Sequence, residues 1–503
     1  MILIVNFGGQ YAHLIARKVR DLGVYSEIIP YTRASYEEIR TRSPSGIILS
    51  GGPSSVYAPN SPSLDPRLLE ADVPILGICY GFQLIAKLLG GEVKEGKGEF
   101  GPTKVRVIEE DDLLGGWNNE LVWMSHSDFV SKLPNDLVIT SMSENGYVSS
   151  FKHKRKPIYG VQFHPEVKHT QGGNKILENF LRIVGAERDW NTDRILSLIE
   201  EYIVNEVGKC DKVLVAVSGG VDSTLSALLV SRVAREKLVP VFVNHGLLRK
   251  GETESVLSSL RKVGIDVVYV DASREFLEAL RGVRDCEEKR AVVGELFAKI
   301  FAEIFEKENC DCLVQGTLYP DVIESGAEIG ADRIKSHHNV AGLPGWFKGR
   351  VIEPLRYLYK DEVRRLARRL GLPEEIVSKH PFPGPGLSVR IIGEVTEEKL
   401  EIVREASSIV EEVLKERNLY DKVWQAFAVV GEDKWVGVKG DARVDGYIVT
   451  IRVVESEDAM TADWFRLDGE TLEELSKRIS RIPKVSMVTY AITTKPPSTI
   501  EPC

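Results

Sequence analysis

Cysteine is scarce in this chain, with six residues in 503. Cys79, Cys210, Cys286, Cys310, Cys312 and Cys503 follow no spacing that suggests a disulfide framework. Cys310 and Cys312 have the spacing of half a metal site, but no second Cys/His pair lies near them, so a structural role is expected. Methionine and glutamine are also few; with abundant charge, this points weakly toward a thermophile. No segment offers the roughly 18 consecutive apolar residues of a membrane span. The N-terminus, MILIVNFGGQ, lacks a basic leader and is too short in apolar residues for a secretory signal. The expectation is a cytoplasmic, reducing environment in which a free thiol survives. A basic excess is missing too. The net charge is −9, which disfavours a dedicated nucleic-acid binder while leaving room for local basic pockets. No internal repeat or low-complexity tract is present.

What is there suits a soluble globular protein. The length implies about three domains, and 43% hydrophobic with 28% charged residues is enough to bury real cores. The first third alternates short apolar strands (MILIVNF, GIILS, PILGI, IYGVQFHPE) with amphipathic helices, predicting a mostly parallel sheet covered on both faces. AERDWNTD breaks the pattern before a new helix at about Arg194. The second third repeats the alternation with KVLVAVSGG, PVFVNHG, DVVYVDA and CLVQGT, a second doubly wound unit. HPFPGPG (380–386) cannot continue a helix or a central strand and reads as a hinge or ligand-facing loop. The remainder mixes a long helix, the strands FAVVG, WVGVKG, YIVTIRVVE and VSMVTYAITT, and the helix TLEELSKRIS. The expected fold class is therefore α/β, with two doubly wound, mostly parallel-sheet domains (1–187 and 188–386) and a C-terminal α+β domain (387–503).

Cys79 lies in Gly77-Ile78-Cys79-Tyr80-Gly81, between an expected strand and an expected helix. A nucleophile on such a turn is exposed, and the helix N-terminus behind it favours thiolate over thiol. A buried core cysteine is the competing reading. His164-Pro165-Glu166 decides between them. Residues two apart on an extended strand share a side, so His164 can take the thiol proton while Glu166 orients the imidazole. Gly51 and Gly52, with the amide of Tyr80, are candidates to receive an oxyanion. FGGQY, LSGGPSSVY, GICYG and HPE together resemble the class I glutamine amidotransferase family over residues 1–185. That resemblance implies attack of Cys79 on the glutamine side-chain amide, a thioester, and hydrolysis to glutamate and ammonia.

Ser218, Gly219, Gly220, Val221, Asp222, Ser223 and Thr224 follow a strand and open a helix. Small residues there leave backbone N–H groups open to phosphate. The loop lacks the Gly-Lys-Ser/Thr of a Walker A loop and resembles the pyrophosphate loop of N-type ATP pyrophosphatases. Asp222 is a candidate ligand for Mg²⁺ bound with ATP; an ordinary βα turn is the plain alternative.

GTLYPDVIES, IKSHHNVAGLP, EPLRYLYKDEVR, HPFPGPGL, VESEDAMTADW and the tail KPPSTIE resemble the glutamine-hydrolysing GMP synthase family. With the N-terminal motifs, the resemblance covers nearly the whole chain. It implies that ATP adenylylates the C2 oxygen of XMP and that ammonia displaces AMP to give GMP. It also implies Lys335 as a lid lysine, Arg290, Lys495 and Glu501 as XMP contacts, and a homodimer through the C-terminal domain. Lys439 is a weaker XMP candidate, with a surface turn as the alternative. His337 and His338 fit a loop role or a catalytic one. Two departures stand out. Asn244-His245 replaces the usual Asp-Asn or Asp-His before GLLR, and the tail ends Glu501-Pro502-Cys503 instead of Glu-Trp-Glu. Free ammonia is mostly protonated at neutral pH, so a sheltered path between the sites is expected, with the linker near residue 190 and the Lys335 lid allowing closure. Three rivals are weighed at this stage, one of them a non-catalytic nucleotide sensor, which would have no reason to keep Cys79, His164 and Glu166 together. An NAD synthetase-like enzyme shares SGGVDS but should lack HPFPGPGL and KPPSTIE. A tRNA-thiolating enzyme would want a basic surface.

Overall fold

The computed structural model describes the chain apart from residues 118–120, 325–346, 348, 440 and 457–460, and the side chains of residues 324 and 439. The described residues form two compact units, Met1–Ile195 and Leu196–Cys503.

The first unit is built on a nine-stranded sheet. Its strands Ser26–Pro30, Ile2–Asn6, Gly46–Leu49, Ile75–Ile78 and Ile158–Val161 run parallel in that spatial order. They are nearly continuous apolar runs, and Ile2 to Val5, Ile47 to Leu49 and Ile75 to Ile78 are fully buried. Burial on both faces explains the lack of alternation. The sheet then continues in an antiparallel direction through Val148–His153, Leu137–Ser143, Glu92–Val107 and Leu121–Lys132. This extension corrects the expectation of a mostly parallel sheet. Its longest strand is largely polar and solvent-facing, EVKEGKGEFGPTKVRV, so it carries little of the apolar signal by which strands are recognised.

The second unit holds a five-stranded parallel sheet in the order Val268–Asp271, Leu238–Asn244, Val213–Ala216, Cys312–Val314, Arg350–Ile352. The chain progresses outward one way from Val213–Ala216 and then resumes on its other side. That is a topological switch point, the place where open α/β sheets bind ligands. The same unit carries a four-stranded sheet. Gln425–Lys439 pairs antiparallel with Ala442–Glu455, which pairs in turn with Asp463–Trp464 and, in parallel, with Val485–Tyr490. FAVVG and WVGVKG, expected as two strands, are one strand interrupted by a register shift between Val430 and Lys434. A single apolar core runs from Leu214 and Val241 of the parallel sheet through the helix Glu397–Glu416 (Val403, Val410, Leu414) to Ile451 and Val453.

The helix Thr192–Val207 begins where Asn191 Oδ1 accepts the N–H groups of Asp193 and Arg194, a side-chain cap on the first turn. The segment HPFPGPG is clamped in place. Gly386 has φ +63°, and a Cβ there would lie 2.5 Å from the Leu247 carbonyl oxygen, so only glycine fits. His380 stacks on Tyr420 with ring centroids 3.8 Å apart.

The cysteines overturn the expectation of a chain without disulfides. Cys210 is bonded to Cys312 and Cys286 to Cys503, across 102 and 217 residues. Partners so distant in sequence leave no local spacing to read. Cys79 and Cys310 are free. Among the described residues, no helix is long and apolar enough to cross a membrane.

Candidate active sites

The strand Ile75–Ile78 ends at Cys79, and the helix Tyr80–Leu88 begins one residue later. Cys79 has φ +52° and ψ −103°, a strained conformation for a residue with a Cβ and typical of functional turns. The flanking glycines are required by close packing. A Cβ on Gly81 would lie 2.4 Å from the Leu49 carbonyl oxygen, and one on Gly77 would lie 2.6 Å from the Gly81 carbonyl oxygen. The helix is thereby pressed onto the sheet, with Tyr80 to Ala86 all buried.

His164 and Glu166 lie beyond the end of their strand, which stops at Val161. The strand-side argument therefore does not account for their meeting; a turn does. It is pinned by the His164 N–H donating to the Trp123 carbonyl at 3.1 Å and by the Thr170 hydroxyl donating to the His164 carbonyl at 2.6 Å. His164 Nδ1 lies 2.7 Å from Glu166 Oε1, and Glu166 is fully buried. Burial works against a charged imidazole. The charges of Glu166 and Cys79 and the hydrogen bonds to both outweigh it and hold the His164 pKa well above its usual 6.5. Gly51 closes the site: a Cβ there would lie 3.1 Å from His164 Cε1 and 3.6 Å from the Cys79 Cβ. Gly52 packs against Phe7 and the Tyr80 ring, and the Ser50 hydroxyl holds the Gly51 carbonyl at 2.8 Å. The expected triad and the expected Gly51-Gly52-Tyr80 turn therefore meet in one place.

The opposite wall was not read from the sequence. Cys79 Sγ lies 3.7 Å from the Ser125 carbonyl oxygen, and the buried Gln83 amide donates to the Asp128 carbonyl at 2.9 Å. His126 and Glu99 form a buried pair at 3.0 Å behind this segment. MSHSD sits on an antiparallel strand that the sequence did not reveal.

In the second unit, Val213–Ala216 leads through Ser218, Gly219 and Gly220 into the helix Val221–Ala234. Gly219 has φ +79°, and a Cβ there would meet Val256 Cγ2 at 2.4 Å. No side chain caps the helix, so its first-turn N–H groups are presented to the loop. Ser218 and Ser223 brace the turn, with their hydroxyls 3.1 Å apart and the Ser218 N–H donating to Ser223 Oγ. Thr224 is buried beneath. The loop lies at the switch point, beside the end of the strand Cys312–Val314: a Cβ on Gly316 would lie 3.2 Å from the Asp222 Cβ. Thr317 donates to Glu353 at 2.7 Å. Lys360, at the start of the helix Lys360–Arg369, reaches Asp222 Oδ2 at 2.5 Å. The sequence quoted this lysine within EPLRYLYKDEVR but gave it no role. Asp222 Oδ1 is buried and has no hydrogen-bond partner among the described residues. A carboxylate with one oxygen on an ammonium and the other unsatisfied fits a hard cation.

The tail brings a further group together. Glu501 accepts from Arg390 Nε at 3.1 Å and Nη2 at 2.8 Å, and from Gln425 Nε2 at 2.6 Å. Arg390 is buried, with its guanidinium 4.2 Å from the Phe427 ring centroid. Arg290, on the helix Cys286–Lys307, donates to the main-chain oxygen of Cys503. Lys495 pairs through its backbone with Ala462. Lys335, His337 and His338 lie outside the described residues, as does the Lys439 side chain. At the position of the first departure, Asn244 donates to the Tyr269 hydroxyl at 3.3 Å and lies in register with Asp271 on the next strand.

A model described as glutamine amidotransferase class-I matches residues 3–184, and one described as GMP synthase C terminal domain matches residues 412–502. The chain is 57% identical over 510 residues to a GMP synthase (glutamine-hydrolyzing) of Pyrobaculum aerophilum, covering 100% of this chain and 99% of the relative. A protein of the same name from Symbiobacterium thermophilum is 50% identical over 508 residues, covering 100% and 98%. Another, from Aeropyrum pernix, is 48% identical over 503 residues, covering 99% and 98%. Likeness of this extent from end to end, over both the thiol site and the tail, makes the chain a member of the glutamine-hydrolysing GMP synthase family.

Proposed function

We propose that the first unit releases ammonia from glutamine and that the second uses ATP to install it on XMP, giving GMP. The observation that carries the first half is the His164–Glu166 contact of 2.7 Å beside a nucleophile held at positive φ. Cys79 Sγ attacks the side-chain amide carbon of glutamine. The oxyanion is received by backbone N–H groups of the Gly51-Gly52 turn and of Tyr80. His164 hands its proton to the departing ammonia, leaving a thioester on Cys79. His164 then takes a proton from water, which attacks the thioester and frees glutamate. Glu166 holds the imidazole by Nδ1 and stabilises its charged form.

In the second unit, the Ser218–Thr224 turn is proposed to bind the ATP phosphates through backbone N–H groups at the helix N-terminus. The C2 oxygen of XMP attacks the α-phosphorus, pyrophosphate leaves, and ammonia displaces AMP at C2. Mg²⁺, bound with ATP, would be held by Asp222 and would neutralise phosphate charge; Lys360 supplies a second cation at that carboxylate. Arg290, Lys495 and Glu501 are proposed XMP contacts, with Lys439 and the lid lysine Lys335 assigned on resemblance. Arginine and lysine suit the nucleotide phosphate, and the carboxylate suits donors on the base or ribose. A homodimer through the region after residue 386 is part of the proposal. Exposed Trp435, Val436 and Val438 on one strand support an apolar contact there.

Product analysis tests the whole reading. XMP, ATP, Mg²⁺ and glutamine should yield GMP, AMP, pyrophosphate and glutamate in equal amounts. Glutamate without GMP, or AMP formed equally well from a substrate other than XMP, would refute it.

A further inference from the structure

A disulfide joins Cys503 to Cys286, on the helix that carries Arg290. Cys286 is the first residue of the helix Cys286–Lys307. Arg290 is four residues further on, so the two share a face of the helix. The disulfide therefore sets Cys503 over that face, where the Arg290 guanidinium donates to the Cys503 main-chain oxygen. Two residues before Cys503, Glu501 is gripped by Arg390 and Gln425. Upstream, Arg452 donates to the carbonyls of Thr493 at 2.5 Å and Thr499 at 3.1 Å. The segment from Lys495 to Cys503 is otherwise without regular structure, and an irregular segment loses conformational entropy when it is held in one arrangement. The tail is thus tied by hydrogen bonds along its length and by one covalent bond at Cys503.

We propose that the Cys286–Cys503 disulfide is a covalent latch that positions Glu501 and Arg290 together for nucleotide binding, so that opening it weakens binding of the nucleotide substrate. This rests on the assignment of the tail to XMP. The bond forms when the two thiols give up two protons and two electrons to an oxidised dithiol. It opens when a reduced dithiol returns them. With the latch closed, the carboxylate and the guanidinium are ordered before the nucleotide arrives. With it open, binding must order the tail segment, and affinity falls while the chemical step is left alone. Arg290 keeps further N–H donors beyond the one given to Cys503, so latching does not exhaust it.

Steady-state kinetics of the full-length protein, with ammonium chloride as nitrogen source so that Cys79 plays no part, tests the latch. Peptide mapping of oxidised protein without reductant should recover Cys286 joined to Cys503. Treatment with dithiothreitol should raise KM for XMP about tenfold with kcat nearly unchanged. Cys286→Ser and Cys503→Ser should show the raised KM already and no response to dithiothreitol. The double variant Cys210→Ser with Cys312→Ser should keep the response. An unchanged KM in Cys286→Ser, or a dithiothreitol response surviving in it, overturns the latch. Glu501→Gln separates this from the underlying assignment. If it raises KM for XMP while Cys286→Ser does not, only the latch fails. If it leaves KM unchanged, the tail is no nucleotide site and both fail.

Discussion

The Lys360 ammonium meets the Asp222 carboxylate at 2.5 Å, across 138 residues of chain, at the mouth of the Ser218–Thr224 turn. One carboxylate oxygen is thereby neutralised and the other, Oδ1, has no hydrogen-bond partner among the described residues. Asp222→Asn keeps the shape and removes the charge. Synthesis of GMP is expected to fall about 10²-fold or more, with glutamine hydrolysis retained. Pyrophosphate release measured alongside glutamate release checks this; equal loss of both activities would mean a folding defect.

Cys79→Ala should abolish glutamine hydrolysis, a loss of at least about 10³-fold, because no other nucleophile sits in the turn. GMP formation from saturating ammonium chloride should survive. Failure of the ammonium-driven reaction would show that the two units do not divide the work as proposed.

Glu166→Gln removes the charge that raises the His164 pKa. In the folded protein that pKa stands above its unfolded value. The pair's stabilisation is therefore complete below about pH 6.5 and is lost as pH rises through the folded pKa. Without the carboxylate, the imidazole loses its proton at lower pH. Because that proton goes to the departing ammonia, the alkaline limb of the kcat profile for glutamine hydrolysis should move downward in pH, with kcat at the optimum reduced about 10²-fold. A limb that stays in place would assign Glu166 a purely steric role.

Gly219→Ala places a Cβ at φ +79° and 2.4 Å from Val256 Cγ2. Both terms oppose it, and the turn must deform. KM for ATP should rise and ammonium-driven synthesis should fall by about tenfold or more, with glutamine hydrolysis unaffected. Initial rates against ATP concentration decide the matter.

Much of the candidate chemistry was legible in the sequence because it is local. Ile78-Cys79-Tyr80 and Ser218 to Thr224 are strand-to-helix turns whose geometry is set within a few residues by glycine placement and helix start. His164 and Glu166 are two residues apart, and the apolar strands around them are buried on both faces. The antiparallel strands from Glu92 to His153 were harder to see, since their exposed residues lack the apolar pattern.

Local sequence was enough to mark the candidate nucleophile, its candidate base, the glycine-rich turn and the parallel cores, since short-range backbone preference and burial specify where each of them lies. Tertiary structure alone decided what lies far apart in the chain. It set Lys360 on Asp222, Arg390 on Glu501, and Cys286 and Cys210 on their partners 217 and 102 residues away. Those contacts depend on how strands order in a sheet and where a tail returns. Cooperative packing of the whole unit settles such questions, and no local spacing encodes them.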